Sequence, residues 1–280
     1  MEFIFNKSVL KHNPNSRKEG AYRLVGVSER VPSLESICDG EKYLNLVHSK
    51  KYIQKVKDAS KNNAFFAYTQ NNRYSYDVAC IAVGLAIQAS EQEAFSLARP
   101  PGHHAGKDSG NGYCLFNNIA IAVERLLEKG MKVAIVDFDA HHGNGTQKIF
   151  FRNKNVQYFS IHEENEWPFT GTKGWDNNCF NYPIPKKSGD SVLINWGDKI
   201  VDFLKEFKPD IIGVSAGFDG YLEDRVAHLN FTEKGYCKIG GRLGSLKCKT
   251  FAVLEGGYHT KMYDCAKQFL DGFNQYAFKK

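Results

Sequence analysis

An α/β fold built on a mainly parallel sheet is predicted by three features of the sequence. Short apolar runs of strand length recur along the chain, and longer stretches of helical periodicity lie between them. No Pro-, Gly- or Ser-rich linker, internal repeat or low-complexity segment breaks the alternation, so a single domain over 1–280 is expected. The apolar runs are "EFIFN" (2–6), "EAFSLARP" (93–100), "KVAIVDFD" (132–139), "VQYFSIH" (156–162), "DIIGVSAGFD" (210–219) and "FAVLEGGY" (251–258). They read as strands buried on both faces, as a parallel sheet covered by helices requires. Helical periodicity marks "YDVACIAVGLAIQASE" (76–91), "NNIAIAVERLLEKG" (117–130) and "INWGDKIVDFLKEF" (194–207), with Gly130 at a helix C-cap. "GGRLG" (240–244) reads as a turn or helix-packing element, and no P-loop, GxGxxG or GxSxG motif is present.

Composition narrows the classes. The chain has 280 residues, 42% of them hydrophobic, enough for one sizeable core. The net charge of +6 comes from scattered lysines and arginines, and no direct nucleic-acid binding is expected. The cysteine number is odd, seven, with no CxxC pair, which argues against a disulfide framework and a thiolate metal site. "MEFIFNKSVLKHNPN" is too short in its apolar part for a signal peptide, and no apolar run has membrane-spanning length. A soluble protein in a reducing cytoplasm is expected.

Polar residues gather where the strands end. His103 and His104 follow the second run; Asp137, Asp139 and His141 end the third; Ser160 and His162 the fourth; Asp219 the fifth; Tyr258 the sixth. Ligands of open parallel sheets bind outside the carboxyl ends of the strands, so five strands are expected to direct these groups at one crevice. Asp137, Asp139 and His141 stand at i, i+2 and i+4 and share a face of an extended segment. Two carboxylates so close at the end of an apolar strand require either a proton or a cation. Asp139 and His141 are suitable oxygen and nitrogen metal ligands. Asp219 is the best third ligand, although taken alone it reads equally well as a helix N-cap. "ARPPGHHAG" (98–106) frames His103 and His104 in a rigid loop suited to proton transfer, with Asp137 and Asn144 as natural orienting partners. "LEGGYH" (254–259) presents Tyr258, either as a packed turn residue or as an oxyanion donor. "GNGYCLFNN" (110–118) can form a narrow wall at Gly112 and Tyr113, with the Gly112 carbonyl open to a substrate N–H, while Leu115 and Phe116 read as core.

"RPPGHHAG", "GYCLFNN", "DFDAHHGNGTQ", "SIH", "AGFDG", "LNFTEKGY" and "LEGGYH" together resemble the histone deacetylase superfamily, over about residues 98 to 259 and in the family's order. Asn144 and "LEGGY" are more similar to the class II branch and its bacterial acetoin-utilisation and acetylpolyamine relatives than to class I. The resemblance implies an arginase/deacetylase-type fold, a mainly parallel sheet of about eight strands between helices, and hydrolysis of N-acyl amides. By motif position, Asp139, His141 and Asp219 would bind zinc, a site that also accepts Fe(II) or Co(II). His104 would be general base and acid, oriented by Asn144; His103 would be electrostatic, held by Asp137. Tyr258 would polarise the acyl carbonyl, the Gly112 carbonyl would accept the substrate amide, and Tyr113 and Trp167 would wall an acyl-lysine tunnel. A structural potassium ion is implied near Asp137, Asp139, His141 and Ser160.

Some positions depart from the family pattern. "HNPNSRKEGAYRL" matches the N-terminal motif only loosely, Tyr68-Thr69 stands where many members carry Asp-Thr, and Val226 stands where polyamine-specific members can carry an acidic gatekeeper, with Glu223 and Asp224 close by. The expected function is deacylation of acyl-lysine in proteins or peptides. The alternatives are hydrolysis of small acetylated amines such as acetylpolyamines and, from another class, a metal-holding binding protein with weak turnover. An arginase-like di-manganese ureohydrolase shares the implied fold, but the paired histidines and Tyr258 favour the deacetylase.

Overall fold

In the computed structural model, which describes residues 1–277, ten strands and eight α-helices follow in the order β1 (Phe3–Ile4), α1 (Val25–Ser28), α2 (Lys50–Lys61), β2 (Phe65–Phe66), β3 (Thr69–Gln70), α3 (Ser75–Gln92), β4 (Phe95–Ser96), α4 (Asn118–Glu128), β5 (Val133–Asp137), α5 (Asn144–Phe150), β6 (Val156–Glu163), β7 (Trp175–Asp176), β8 (Cys179–Ile184), α6 (Asp190–Phe207), β9 (Ile211–Ala216), α7 (Glu233–Ser245), β10 (Lys249–Leu254) and α8 (Met262–Ala277). Eight strands form one sheet in the order β1-β4-β10-β9-β5-β6-β8-β7, while β2 and β3 make a separate hairpin. Every pair in the large sheet is parallel except the β7–β8 edge.

The strand order explains where a site forms. From β1 to β8 the chain steps in one direction across the sheet, through α3, α4 and α5; from β8 it returns through α6 to β9 and through α7 to β10. Right-handed crossovers put helices of opposite travel on opposite faces. Accordingly α3 packs on α4, and α6 packs on α7, which packs on α8. The reversal falls between the paired strands β5 and β9, and a crevice opens at such a switch point beyond the carboxyl ends.

All six expected strands are present; five are shorter than the runs that predict them, and β6 extends one residue further, to Glu163. The 2–6 and 93–100 runs keep only two paired residues each, because the chain leaves the sheet early on both sides. β7, β8 and the β2–β3 hairpin were not anticipated: Tyr182 and Pro183 give β8 a mixed composition without a continuous apolar run. The helix spans hold to within a few residues, and Gly130, at φ +77°, ends α4 as expected. Leu115 and Phe116 are core residues, and all seven cysteines are free thiols.

Alternation along the strand ends anchors the polar residues. Phe138, between Asp137 and Asp139, turns away from them into an aromatic cluster with Phe218, Tyr236 and Phe269. Phe218 does the same beside Asp219. Each such buried ring contributes roughly 1.5–3 kcal/mol, which holds the adjacent carboxylates in place despite their desolvation.

"GGRLG" lies inside α7 and is a helix-packing element. A Cβ on Gly240 or Gly244 would sit 2.1 or 2.3 Å from the Phe269 or Phe273 carbonyl oxygen of α8, and one on Gly272 would sit 1.9 Å from the Cys237 carbonyl oxygen. The two helices therefore touch backbone to backbone. Gly272→Ala is expected to lower unfolding free energy by about 1–3 kcal/mol through overpacking, read as a lower urea midpoint at unchanged slope.

Candidate functional site

Four strands adjacent in the sheet, β4, β10, β9 and β5, deliver the polar residues to one crevice. Asp139 and His141 follow β5 and Asp219 follows β9. One ligand atom from each lies within 4.8 Å of the others, and all three residues are buried. His141 Nδ1 is 2.8 Å from Asp219 Oδ2 and 3.3 Å from Asp139 Oδ1. The free carboxylate oxygens are tied to backbone: Asp139 Oδ2 accepts from Gly256 N and Asp219 Oδ1 from Ala140 N. A Cβ on Gly256 would sit 2.4 Å from Asp219 Oδ2 and 2.5 Å from Asp139 Oδ2. Glycine at this position thus keeps the space between the two carboxylates open. Burial, with the Asp139 charge added, pushes the Asp219 carboxyl upward from its ordinary value. Two buried anions this close need a positive partner, and the two-carboxylate, one-imidazole donor set fits a divalent cation such as zinc.

The histidine pair stands beside this cluster. Its rings are 3.9 Å apart at the centroids, and each has a different orienting partner. His103 Nδ1 is 3.1 Å from Asp137 Oδ2, which also accepts from Tyr158 Oη. His104 Nδ1 is 3.0 Å from Asn144 Oδ1, at the start of α5. Burial alone would lower the His103 pKa, but the neighbouring Asp139, Asp137 and Glu255 carboxylates raise it to about 10. For His104, burial and then the charge of His103 push the pKa well below 6.5, so it is neutral. An amide oxygen only accepts, which fixes the Nδ1–H tautomer of His104 and leaves Nε2 as a base.

Above the cluster a recess of about 250 Å³ is lined by His104, His141, Gly112, Tyr113, Trp167, Tyr258, Tyr68, Val226, Lys18 and Glu166. Trp167 packs edge-on against His104 at 4.5 Å, and Tyr113 faces Tyr258 at 5.9 Å. Gly112 has φ +52°, and a Cβ there would sit 2.4 Å from Trp167 Cη2 and 2.5 Å from His104 Cδ2, so any side chain would close the recess. The Gly112 carbonyl already receives the Cys114 thiol at 3.4 Å, a weak contact that leaves one lone pair. Burial pushes the Tyr258 hydroxyl well above 10 although the Arg23 guanidinium lies 4.6 Å over its ring, so the phenol stays protonated.

His162 does not join this crevice. Its Nδ1 is 2.9 Å from Ser160 Oγ and its Nε2 is 3.2 Å from the Gly171 carbonyl oxygen, with the ring beside His142 at 4.7 Å. The expectation of five contributing strands is therefore corrected to four, because β6 lies beyond β5 and its end opens on a neighbouring recess. Ser160 pairs in register with Asp137 across β5 and β6.

Several supporting residues were not anticipated. Glu255, also at the end of an apolar strand, accepts from Gly102 N, His103 N and Ser215 Oγ, and so anchors the histidine loop. It carried the same signal as Asp137 and Asp219. Arg23 donates to the Gly257 and Glu255 carbonyl oxygens and to Glu19, which Arg99 also grips at 2.6 Å. These three fully buried charges tie the loosely matching N-terminal segment to the "LEGGYH" loop. Asp224 accepts from Tyr258 N and Val226 N, and Glu223 pairs with Lys261, so neither acid stands at the Val226 position of the recess.

Comparison with known proteins identifies the family. The model of the histone deacetylase domain matches residues 22–273. A probable deacetylase of Archaeoglobus fulgidus is 33% identical, covering 91% of this chain and 80% of its own length. The crystal structure of the HD domain of HDA15 is 30% identical with a TM-score of 0.88, covering 99% of this chain and 89% of that one. That of acetylpolyamine aminohydrolase from Burkholderia pseudomallei is 26% identical with a TM-score of 0.87, covering 98% of each chain. The chain belongs to the histone deacetylase family, and with it to the class of deacetylases and amidohydrolases that act on acetyl amides. Among the described residues no helix is long and apolar enough to cross a membrane.

Proposed function

We propose that the chain is a single zinc-dependent deacylase domain that hydrolyses the N-acyl amide of acyl-lysine in proteins or peptides. The observation that carries the reading is the neutral, Asn144-oriented His104 standing beside a buried Asp139–His141–Asp219 cluster at the base of a narrow aromatic recess. Zinc held by those three residues would supply Lewis-acid polarisation and a more acidic water. The chain's own groups do the rest. His104 Nε2 takes the proton of the attacking water and later returns it to the leaving amine. The Tyr258 hydroxyl donates to the oxyanion that develops on the acyl carbonyl. The cationic His103, held by Asp137, adds positive potential without exchanging a proton. The free lone pair of the Gly112 carbonyl receives the scissile amide N–H, and Tyr113 and Trp167 flank the alkyl chain and exclude water. Fe(II) or Co(II) would suit the same donors. Asp137, with Ser160 opposite it in register, is where we place a structural potassium ion, near Asp139 and His141.

Small acetylated amines such as acetylpolyamines are the second reading, supported by the likeness to acetylpolyamine aminohydrolase. Against it, Val226 and Lys18 line the recess where a cationic substrate would need a free acid, and Glu166 is engaged by Lys186 at 3.5 Å.

Tyr258→Phe is expected to lower kcat on an acetyl-lysine peptide by roughly a hundred- to a thousand-fold, with zinc still bound. Loss under threefold would remove Tyr258 from the chemistry, and no turnover in either protein would favour a binding role or small amines. The acid limb of kcat/KM is expected below pH 6.5, because His104 must be neutral and its pKa is depressed. Asn144→Asp stabilises the imidazolium and is expected to move that limb up by about one unit or more, which a pH–rate profile measures.

A further inference from the structure

The recess over the histidines does not end at Trp167. It shares Lys18, Tyr68 and Tyr113 with a second, shallower recess of about 460 Å³, lined also by Arg17, Asn13, Phe65 and Gln70. The β2–β3 hairpin forms its floor. Ala67 and Tyr68 both turn at positive φ, which leaves Phe65 70% and Tyr68 62% exposed at the edge of the mouth. Tyr68 also meets Trp167 edge-on at 6.4 Å, so the outer groove continues the wall of the inner one. Thr69 also lines the outer recess, and its hydroxyl accepts from Asn13 Nδ2.

The charges lining the outer groove have one sign. Arg17 and Lys18 line the groove, and neither forms an ion pair with a carboxylate among the described residues. Glu166 is the acid lining the inner recess, and its Oε2 is 3.5 Å from Lys186 Nζ and 3.6 Å from His228 Nδ1. A substrate leaving the inner recess therefore passes two unpaired cations and two exposed aromatic faces.

We propose that this mouth selects acyl-lysine substrates that carry a carboxylate beside the acylated side chain. Arg17 and Lys18 hold that carboxylate, and the chain bearing it lies over Phe65 and Tyr68. The inference rests on the acyl-lysine reading above. The carboxylate can come from an acidic side chain next to the acyl-lysine or from a C-terminal acyl-lysine itself.

The test uses zinc-loaded full-length protein and acetyl-lysine peptides that differ only in the flanking residue, Glu, Ala or Lys, together with a C-terminal acetyl-lysine peptide as free acid and as amide. The ratio of kcat/KM for Glu over Lys is expected at roughly tenfold in low salt, falling toward one at high salt as the pairs are screened. In Arg17→Glu/Lys18→Glu the ratio should invert, and the salt series on the wild type gives an independent reading should that variant fold poorly. Preference for the free acid over the amide would assign the carboxylate to a chain terminus; equal rates with a Glu preference would assign it to a side chain. Ratios within about twofold of one for both comparisons, with the Ala peptide turned over, would overturn the inference alone. Turnover of acetylpolyamines with none of any peptide would overturn the acyl-lysine reading, and this inference with it.

Discussion

Four carboxylates, Asp137, Asp139, Asp219 and Glu255, are buried within one crevice, and the rest of the structure is arranged around the cost of keeping them there. Desolvation of this kind is tolerated only where every oxygen has a partner and positive charge stands close. Asp137 has His103 and Tyr158; Glu255 has two backbone amides and Ser215. Asp139 and Asp219 have backbone amides and His141, and still face each other across the space that Gly256 leaves open. A cation between them would complete the balance. The same field explains why adjacent histidines shift oppositely: the carboxylates raise the pKa of His103, whereas burial first and the His103 charge second lower that of His104.

Topology makes the concentration of charge possible. The reversal of strand order between β5 and β9 opens the crevice, and adjacent strands on either side deliver residues to it. Alternation along the strand ends sends Phe138 and Phe218 into the aromatic core, so apolar burial on one side anchors the acids on the other. The buried Glu19–Arg23–Arg99 network then clamps the "LEGGYH" loop from outside, and Arg23 lies directly over the Tyr258 ring. Catalytic geometry of the proposed kind needs such support, since a phenol on a glycine-rich loop would otherwise wander.

Much of this was legible in the sequence. Apolar runs ending in Asp, His or Tyr are a strong signal, and they located β5, β9 and β10 together with the residues that converge there. The residues themselves named Asp137 and Asn144 as partners of the histidine pair, the family resemblance assigned one to each, and the structure brings Asp137 to His103 and Asn144 to His104. Other parts were less readable for physical reasons. The edge strand β7 and its neighbour β8 carry little hydrophobic pattern. Glu19 and Arg23 stand at i and i+4, but Arg99 reaches Glu19 and Arg23 reaches the Gly257 carbonyl over long sequence separations, so that spacing alone does not mark the network. Glu255 was passed over beside Tyr258, although a carboxylate at a buried strand end is itself the warning sign. His162 carried the expected signal but sits one strand too far from the switch point.

The charge balance of the crevice is tested most directly by counting tightly bound divalent metal per chain, by elemental analysis of purified wild type and Asp219→Asn. One ion in the wild type and none in the variant is the expected result. No ion in the wild type, or two, would contradict a site in which Asp139, His141 and Asp219 share a single cation.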